Sequence, residues 1–545
     1  MITVADEIAR RLSEHGISQV FGYPGETSLS LYAAFQRHDG LSHVVARCPR
    51  GAAYAAEAHA RITGRAAVCD APGGIGSPYC TPALLEAYNS GTPLVLLTSG
   101  PSKSVPRPWA TGQVEHSRLF ESIAKRVHVI REQKGALGAI DAALAEAERP
   151  RKGPVVVEVA PDVLEAQAEP AVLNEPVALD DSTESADRGV AARRTEQAGI
   201  AANAIKRASS VALIAGGGCH SFGATEALRE FVSRFRIPVF TTLNGKGALS
   251  EVGDEVPRVV GSKGDSPANA YISGCDVVLY VGSKMGDKST NQYSWPSPDQ
   301  FLVRIDNDPR VEGSSSERGC VLREDLGSGL RLLSDQLGDW SYSGGTPSAA
   351  DGSWSRSGTA SIVETINALK TGRDVCVGEA SVASGWFGAL LRLEPPQRLI
   401  TPRGTGSLGY ALPAAVGAAV ARPDSAVWTL VGDGGLAMST GELETIARLG
   451  LNLKITILDN GRLNLIDQHA IHHHGAAAVS RDFIGIDWSM ICGAIGLPVM
   501  RSDSPERDVA EIAEFFAGNG PAVLVLNTSV DEISPDMAIA IRKEA

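Results

Sequence analysis

The stretch AVWTLVGDGG, residues 426–435, places a short apolar run directly before a Gly-Asp-Gly-Gly turn. A helical pattern follows, and a second apolar run, Lys454–Leu458, then ends in Asp459-Asn460-Gly461. Two strands joined by a helix are predicted to lie parallel, and the carboxyl ends of parallel strands meet at one edge of the sheet. We therefore expect Asp433 and Asn460 to lie together at that edge.

These two residue types suit a bound cation. A carboxylate oxygen and an amide oxygen are ligands that Mg²⁺ accepts, and Mg²⁺ often takes phosphate oxygens as further ligands. The glycines allow backbone N–H groups to approach a phosphate at the start of a helix. A lone Gly-Asp-Gly is also typical of an ordinary turn, but the full strand–turn–helix–strand–Asn combination favours a metal and diphosphate site.

The rest of the chain repeats the alternation of short apolar runs and helical patterns. It predicts an α/β protein with three consecutive doubly wound parallel-sheet domains. The expected domains are residues 1–165, 191–338 and 359–545, separated by linkers at 166–190 and 339–358. We interpret Val20-Phe21 as the start of a strand. The other apolar runs that we interpret as strands are Ala66–Cys69, Pro93–Thr98, Pro154–Val159, Val211–Ala215, Pro238–Thr241, Val277–Val281, Phe301–Ile305, Val375–Val377, Ala426–Val431, Lys454–Leu458 and Ala522–Leu526.

Composition excludes several classes of protein. The 545 residues include 50 Lys and Arg against 63 Asp and Glu, a net charge of −13, which argues against nucleic acid or an anionic membrane as partner. No apolar run approaches the ~20 residues of a membrane span, and no signal-peptide core follows Met1. The eight isolated cysteines form no Cys-x-x-Cys pair, so they are interpreted as buried thiols. We expect a cytoplasmic protein.

Glycine-bearing motifs recur in all three predicted domains. They are Phe21-Gly22-Tyr23-Pro24-Gly25, Ala60-Arg61-Ile62-Thr63-Gly64, Gly74-Ile75-Gly76, Gly216-Gly217-Gly218, Thr242-Leu243-Asn244-Gly245-Lys246-Gly247, Ile305-Asp306-Asn307-Asp308-Pro309 and Gly406-Ser407-Leu408-Gly409-Tyr410-Ala411-Leu412-Pro413. Together with Gly432-Asp433-Gly434 and Asn460, their kind and order resemble those of thiamine-diphosphate (ThDP) enzymes of the acetolactate synthase and pyruvate oxidase-like branch. The resemblance covers nearly the whole chain. It implies the ThDP-binding fold, with pyrimidine, middle and diphosphate domains in that order.

The resemblance implies ThDP and Mg²⁺ as cofactors. Asp433 and Asn460 would be side-chain ligands of Mg²⁺, with the backbone carbonyl of Arg462 as a third. The carbonyl of Gly406 would accept a hydrogen bond from the 4′-amino group of the cofactor. Leu408 would hold the cofactor in its bent form, although it is alternatively an ordinary core leucine. The residues expected at the diphosphate are Gly434, Gly435 and the loop Gly378-Glu379-Ala380-Ser381.

One position departs from the family pattern. Relatives carry a Glu that hydrogen-bonds pyrimidine N1′, twelve positions before the Arg of Ala-Arg-x-Thr-Gly, and here that position, counted from Arg61, is Pro49. The flanking residues Arg47 and Gly51 match the family and support the register. Proline offers no proton and no hydrogen bond to N1′, and an apolar contact disfavours charge on the ring. We therefore expect atypical activation of the cofactor.

Three explanations for Pro49 remain open. The enzyme works without the Glu, as a minority carboligase branch with an aliphatic residue there does; another carboxylate, Glu26 or Glu57, substitutes; or the protein binds ThDP without turnover. Glu57 is expected to be an exposed helix residue. Glu26 follows a glycine turn at a strand end and is the better candidate. We favour an active enzyme.

Candidate substrate-side groups lie in two segments. Gln113, Glu115 and His116 follow Pro106-Arg107-Pro108-Trp109 in a loop that the resemblance places at the pocket. His472-His473-His474 follow the metal motif and are interpreted first as a solvated loop, second as acid or base groups, and last as metal ligands. The catalytic candidates are thus the Pro49 position, Glu26, Gln113, His116 and His473.

The resemblance implies an enzyme that acts on a 2-oxo acid or other activated carbonyl compound, by decarboxylation, carboligation or both. The alternatives are a catalytically silent ThDP-binding regulatory protein and a ThDP-dependent lyase or hydrolase that cleaves a C–C bond of a secondary metabolite. A homodimer or homotetramer is expected, with the active site between subunits. The middle-domain loops Gly261-Ser262-Lys263-Gly264 and Gly282–Gly286 differ from those of flavin-binding relatives, so no bound FAD is expected.

Overall fold

A computed structural model of the chain shows three six-stranded sheets in which every strand pairing is parallel, with helices on the faces. It describes residues 2–102, 112–169, 173, 188–221, 223–253, 256–262, 264–308, 318–348, 357–476, 483–535 and 537. The predicted fold class, three consecutive doubly wound α/β domains, is confirmed. Of the described helices, none is both long and apolar enough to span a membrane.

The N-terminal sheet has the strand order β2-β1-β3-β4-β6-β5. Its strands are β1 (Gln19–Gly22), β2 (Ser42–Val45), β3 (Ala67–Ala71), β4 (Leu94–Ser99), β5 (Arg126–Ile130) and β6 (Pro154–Val159). The helices are α1 (Val4–Glu14), α2 (Leu29–Arg37), α3 (Pro49–Thr63), α4 (Gly76–Tyr79), α5 (Thr81–Ser90), α6 (His116–Phe120), α7 (Ala136–Glu148) and α8 (Pro161–Glu165). The faces of the sheet pack into two separate clusters, with α1, α2 and α7 on one side and α3 and α5 on the other.

The middle sheet has the order β12-β11-β10-β7-β8-β9. Its strands are β7 (Val211–Ala215), β8 (Val239–Thr241), β9 (Arg258–Val259), β10 (Val277–Val281), β11 (Phe301–Asp306) and β12 (Gly319–Arg323). Its helices are α9 (Arg188–Arg207), α10 (Ala224–Phe235), α11 (Ser266–Ser273) and α12 (Leu326–Leu337). The first helix begins three residues before the predicted start of this domain, and the predicted domain bounds stay predictions.

The C-terminal sheet has the order β14-β13-β15-β16-β18-β17. Its strands are β13 (Val375–Gly378), β14 (Arg398–Ile400), β15 (Val427–Gly432), β16 (Leu453–Asp459), β17 (Val499–Ser502) and β18 (Ala522–Asn527). Its helices are α13 (Gly358–Leu369), α14 (Val382–Leu390), α15 (Ala411–Ala421), α16 (Asp433–Ala437), α17 (Glu442–Leu449), α18 (Asn464–His474), α19 (Trp488–Ala494) and α20 (Val509–Phe516).

Helices α3 and α15 join the N-terminal and C-terminal domains through one continuous apolar core. Both are rich in alanine, so their backbones approach closely: a Cβ added at Gly417 would lie 1.9 Å from the carbonyl oxygen of Ala55. The helix α3 begins with Pro49 at its first position, where the missing N–H needs no intrahelical partner. It ends at Gly64, whose φ of 74° is left-handed. The middle of α3, at Ala55, thus packs directly against α15 of the C-terminal domain.

The cysteines are all free thiols. Seven are buried, and Cys48 is half-buried next to Pro49. The interpretation as isolated buried thiols is confirmed for those seven.

Candidate active site

Asp433 and Asn460 lie at the carboxyl edge of the C-terminal sheet, where the adjacent parallel strands β15 and β16 end. Oδ2 of Asp433 accepts a hydrogen bond from the backbone N–H of Gly461 at 2.8 Å. Oδ1 of Asn460 accepts one from the N–H of Arg462 at 3.2 Å. Because both side chains contact the same loop, the sheet brings a carboxylate and an amide oxygen to one place.

The electrostatics of this edge suit a cation. Burial, together with the charge of the nearby Asp459, raises the pKa of Asp433 to about 6. A divalent cation would stabilise the ionised carboxylate. The described residues contain no group of three or more His, Cys, Asp or Glu able to hold a metal ion. The donor set that fits is therefore one carboxylate with amide, carbonyl and phosphate oxygens, which is the coordination that Mg²⁺ favours.

Several backbone positions around this edge are open. A Cβ added at Gly406, Gly432 or Gly461 would meet no atom within 4 Å, whereas one at Gly434 would lie 2.4 Å from Cδ2 of Leu463. Glycine at these positions leaves space beside the backbone for a bound group, while the N–H groups of Gly406, Gly434 and Gly461 donate to Pro402 and Asp433. The cradle predicted for the diphosphate is thus compatible with the local backbone.

The predicted diphosphate loop Gly378–Ser381 leads from β13 into α14. Oγ of Ser381 accepts a hydrogen bond from the N–H of Ala383 at 3.2 Å and caps this nine-residue helix. The amino end of a helix carries partial positive charge from its unpaired N–H groups. The loop would therefore offer a favourable field to a phosphate bound at this position.

The side chain of Glu379, a residue of the predicted diphosphate loop, is enclosed within the protein. Its carboxylate is completely buried and accepts hydrogen bonds from the N–H groups of Tyr410, at 3.4 Å, and Ala411, at 3.3 Å, at the start of α15. Burial raises the pKa of Glu379 to about 7. The side chain thus caps α15, while the backbone N–H of Glu379 donates to Leu430 and its carbonyl accepts from Ser381.

Leu408 lies in a turn between two glycines with left-handed backbone, Gly406 (φ 71°) and Gly409 (φ 76°). Its side chain is half-buried, so the alternative of an ordinary core leucine does not describe it. Hydroxyl oxygens of Thr405 and Ser407, 2.7 Å apart, hold the preceding residues together. The turn presents Leu408 on the surface that also exposes Gly406.

Pro49 is buried at the start of α3. Its carbonyl accepts a hydrogen bond from Sγ of Cys80 at 3.6 Å, and its side chain has no group that donates or accepts a proton. One carboxylate that the sequence did not indicate lies beside this turn: Oε1 of Glu442 accepts from the N–H of Arg47 at 3.2 Å. A Cβ at Gly51 would lie 2.2 Å from the same oxygen. Glu442 therefore stabilises the first turn of α3 from the C-terminal domain.

The two carboxylates considered as substitutes have opposite surroundings. Glu26 is exposed in a short turn, Glu26–Ser28, after β1. The expectation that Glu57 is exposed is wrong, because it is completely buried between the N-terminal and C-terminal domains. Its carboxylate accepts hydrogen bonds from the hydroxyls of Tyr410, at 2.8 Å, and Thr92, at 3.0 Å. Burial raises the pKa of Glu57 to about 7.

His116 is buried at the start of α6 and forms a chain of polar contacts. Its Nδ1 lies 2.8 Å from Oε2 of Glu158, and its Nε2 lies 2.6 Å from Oγ of Ser77. Burial opposes ionisation of Glu158, but hydrogen bonds from His116 and Arg131 hold its pKa below the usual value. Because the ionised carboxylate only accepts, Nδ1 carries the proton, and in the neutral ring Nε2 accepts from Ser77. Both ring nitrogens of His116 are therefore hydrogen-bonded, to Glu158 and to Ser77.

Sequence reasoning missed both partners of His116. The one signal for Glu158 is a charged residue within the apolar run Pro154–Val159, which predicts a buried carboxylate with a partner. Ser77 follows the Gly74-Ile75-Gly76 motif and carries no such signal. Only the packing of α4, α6 and β6 brings these three residues together.

The other substrate-side candidates, Gln113 and His473, are both exposed. His472-His473-His474 form the last turn of α18 and not a loop, and the rings of His469 and His473 stack with centroids 5.6 Å apart. The stretch Pro106-Arg107-Pro108-Trp109 and Lys263 lie outside the described residues. Neither exposed candidate is enclosed in a pocket by the described part of the chain.

Two cavities lie at the carboxyl edges of the sheets. A cleft of about 690 Å³ next to Asn460 is lined, among the described residues, only by the C-terminal domain. A second cavity, of about 390 Å³, lies between the domains and is lined by glycines of the middle domain and by basic side chains. The lining residues that characterise the second are Gly217, Gly282, Lys284, Arg61, Arg151 and Arg398. The expected absence of bound flavin stays a prediction.

Three consecutive segments of the chain match domains of thiamine pyrophosphate enzymes. Residues 2–118 match the N-terminal TPP binding domain, residues 199–333 the central domain, and residues 379–526 the C-terminal TPP binding domain. The chain is 27% identical over 547 residues to the acetolactate synthase isozyme 2 large subunit of Escherichia coli K12, covering 97% of this chain and 96% of that protein. It is 27% identical over 570 residues to an acetolactate synthase of Arthrospira platensis, covering 97% and 95%. It is 26% identical over 550 residues to a probable acetolactate synthase large subunit of Methanocaldococcus jannaschii, covering 95% and 91%.

Proposed function

The chain belongs to the family of thiamine pyrophosphate (thiamine diphosphate) enzymes, with an acetolactate synthase-like role as a carboligase or decarboxylase, and from that premise we propose its substrate class and active-site residues. The substrate is a 2-oxo acid or another activated carbonyl compound. The observation that carries the proposed active-site residues is the convergence of Asp433 and Asn460 on the loop Gly461-Arg462. When bound, thiamine diphosphate supplies a stabilised carbanion that adds to a carbonyl carbon.

Mg²⁺ would be held by Asp433, Asn460 and the backbone carbonyl of Arg462. The diphosphate would take the remaining positions of the cation and would contact backbone at Gly434, Gly435 and the loop Gly378–Ser381. The oxygen-only donor set, the buried carboxylate of Asp433 and the open space at Gly432 and Gly461 support this assignment. Gly406 and Leu408 would orient the pyrimidine end of the cofactor.

Activation of the cofactor would be atypical, because Pro49 cannot exchange a proton with the pyrimidine ring. Glu26 remains a candidate for the missing carboxylate, since it is exposed after β1 and free to meet a cofactor from outside this chain. Glu57 is not a candidate, because it is enclosed about two helical turns, or roughly 12 Å, along α3 from Pro49. An apolar wall at Pro49 would slow activation and leave binding intact.

On the substrate side, His116 would hold or move a proton through Ser77. Ionised Glu158 fixes the imidazole so that Nε2 faces the Ser77 hydroxyl. Gln113 lies three residues before His116 in the chain and would contact substrate from the same loop region. His473 is a candidate acid or base from the C-terminal domain.

A second copy of the chain would complete the site. The cleft at Asn460 contains no described residue of the N-terminal domain, although the family pairs that domain with the diphosphate site. Large apolar side chains are exposed at the carboxyl edge of the N-terminal sheet, at Tyr23, Ile75 and Tyr79. Such a patch is typical of a protein interface. We expect a homodimer or homotetramer with the cofactor between the N-terminal domain of one copy and the C-terminal domain of another.

The test is to supply ThDP and Mg²⁺ and to measure ThDP affinity, exchange of the cofactor C2 hydrogen with deuterium, and CO₂ release over a panel of 2-oxo acids. The expected result is saturable binding with measurable exchange and turnover. Saturable binding without exchange or turnover would identify a catalytically silent ThDP-binding protein. This is the main alternative to an active enzyme, because Pro49 replaces the activating carboxylate. Exchange without CO₂ release would indicate cleavage of a C–C bond in another carbonyl substrate.

A further inference from the structure

The turn Gly404-Thr405 in the C-terminal domain is held by a carboxylate from the N-terminal domain. Glu86, on α5, is completely buried. Its Oε1 accepts a hydrogen bond from the N–H of Gly404 at 2.9 Å, and its Oε2 accepts from the N–H and the hydroxyl of Thr405, at 2.7 and 2.8 Å. On the same helix, Nδ2 of Asn89 donates to the carbonyl of Gly404 at 3.2 Å. Two side chains of one domain thus bind three backbone groups of another.

The backbone is shaped for this contact. A Cβ added at Gly404 would lie 2.8 Å from both the carbonyl oxygen and Oε2 of Glu86, so only glycine allows the carboxylate to approach. The N–H of Gly406 then donates to the carbonyl of Pro402 at 2.7 Å and closes the turn. Because Gly406 follows with φ of 71°, the orientation of its carbonyl depends on how the two preceding residues are held.

The charge of Glu86 is balanced inside the interface. The guanidinium of Arg61 lies 3.9 Å from Glu86 and 3.7 Å from Glu57. Burial raises the pKa of Glu57 to about 7, which weakens the competition of this carboxylate with Glu86 for Arg61. Ser90 adds a further hydrogen bond to Oε1 at 2.7 Å. Burying a carboxylate costs desolvation free energy that an apolar side chain would avoid. The four hydrogen bonds to Glu86 therefore indicate a role beyond filling space.

We infer that Glu86 is a positioning residue for the cofactor: by fixing Gly404 and Thr405, it sets the orientation of the Gly406 carbonyl and of Leu408. The inference rests on the proposed function, in which these two residues orient the pyrimidine end of ThDP. A carboxylate is suited to this task because its two oxygens accept two adjacent N–H groups at once. Glu86 itself does not touch the cofactor and acts only through the turn.

The test compares Glu86→Gln with Glu251→Gln. Glu251 is a matched control, because it is buried in the middle domain and accepts hydrogen bonds from the N–H groups of Gly247 and Leu393, each at 3.0 Å, the latter across a domain interface. In Glu86→Gln one oxygen is replaced by an NH₂ group that faces an N–H donor. We expect ThDP affinity to fall by about 10-fold, the effect of one lost charge-assisted hydrogen bond. C2–H/D exchange in the bound cofactor should also slow, and Glu251→Gln should change neither.

Amide hydrogen exchange of peptides covering residues 403–408 supplies a readout that needs no substrate. In Glu86→Gln these amides should exchange faster, while those of the Gly247 turn should not change. Thr405→Val removes the hydroxyl that donates to Glu86 and keeps the Glu86 carboxylate. This variant replaces Glu86→Gln in the test if Glu86→Gln does not fold. Its expected loss of ThDP affinity is smaller. The double variant should bind ThDP no more weakly than Glu86→Gln alone.

The outcomes separate this inference from the proposed function. If wild-type protein binds ThDP and Glu86→Gln binds it equally well with unchanged C2–H/D exchange, the inference is wrong and the proposed function stands. If wild-type protein binds no ThDP, both are wrong. A loss of ThDP affinity that Glu251→Gln reproduces would also overturn the inference, because it would reflect general loosening of the domain interfaces.

Discussion

Nε2 of His116 lies 2.6 Å from Oγ of Ser77, and both side chains are buried. With Glu158 on Nδ1, the arrangement has the order of a serine–histidine–carboxylate triad. A nucleophilic role does not follow, because the N–H of Ser77 donates to the carbonyl of Pro72 and is not available to stabilise an oxyanion. The arrangement is instead suited to holding or moving a proton between Ser77 and His116.

His116→Gln and Ser77→Ala should each lower kcat by about 10²-fold or more, the usual contribution of a positioned acid or base, with ThDP affinity unchanged. Because the two residues act as a unit, the double variant should be no slower than either single variant. Initial rates with the best 2-oxo acid of the panel measure this. The matched control is His128→Gln, another buried histidine of the N-terminal domain; an equal loss there would contradict the assignment.

Asp433→Asn and Asn460→Ala should abolish Mg²⁺-dependent binding of ThDP, because each removes an oxygen ligand from the edge of the sheet. Titration of ThDP at several Mg²⁺ concentrations, with chelator as the metal-free reference, gives the affinities. Asp459→Asn is the control, since it removes a neighbouring carboxylate that is not a proposed ligand. Unchanged affinity in Asp433→Asn would exclude the metal site.

Pro49→Glu should accelerate C2–H/D exchange, if the missing carboxylate limits activation of the cofactor. Pro49→Ala removes the ring without adding a carboxyl group and should leave exchange near the wild-type rate. Exchange is followed by quenching in acid and detecting the remaining C2 proton by NMR. A folded Pro49→Glu variant that exchanges no faster than Pro49→Ala would show that the enzyme has another route.

Glu57 predicts a specific dependence of stability on pH. Its pKa is raised by burial to about 7 in the folded protein, so the folded state holds a proton that the unfolded state has lost. The free energy of unfolding that Glu57 contributes is fully present below its pKa in the unfolded chain, roughly 4.5. It is lost as the pH rises to the folded-state pKa of about 7. Glu57→Gln should therefore raise the midpoint of thermal unfolding at pH 8 more than at pH 5. The exposed Glu26→Gln should shift it at neither pH.

Gly417→Ala should weaken the contact between α3 and α15, because the added Cβ would meet the Ala55 carbonyl at 1.9 Å. Overpacking of this kind costs about 1–3 kcal/mol, which corresponds to a fall in Tm of several degrees. Gly518→Ala is the control, since a Cβ there meets nothing within 4 Å. An unchanged Tm in Gly417→Ala would mean that the two helices are free to separate.

The sequence by itself predicted the inner strands and none of the edge strands. Inner strands such as β4 and β15 are covered on both faces and therefore form continuous apolar runs that are visible in the sequence. Edge strands such as β5 and β17 have exposed positions and no such run. The strands that were not predicted are β2, β5, β9, β12, β14 and β17, the two edges of each described sheet.

The residues of the candidate site likewise fall into those that the sequence indicates and those that only the packing brings together. Asp433, Asn460 and the glycines around them are recognisable from sequence, because each lies in a short motif at a strand end, where local pattern and position coincide. The burial of Glu57, the contact between Ser77 and His116, and the binding of Gly404 by Glu86 are not local: 318 residues separate the last pair. A side chain's partners across a domain interface depend on how helices pack, which no short pattern encodes. The sequence therefore determined which backbone segments form the proposed metal and diphosphate site, and only the tertiary structure decided which buried side chains hold those segments in place.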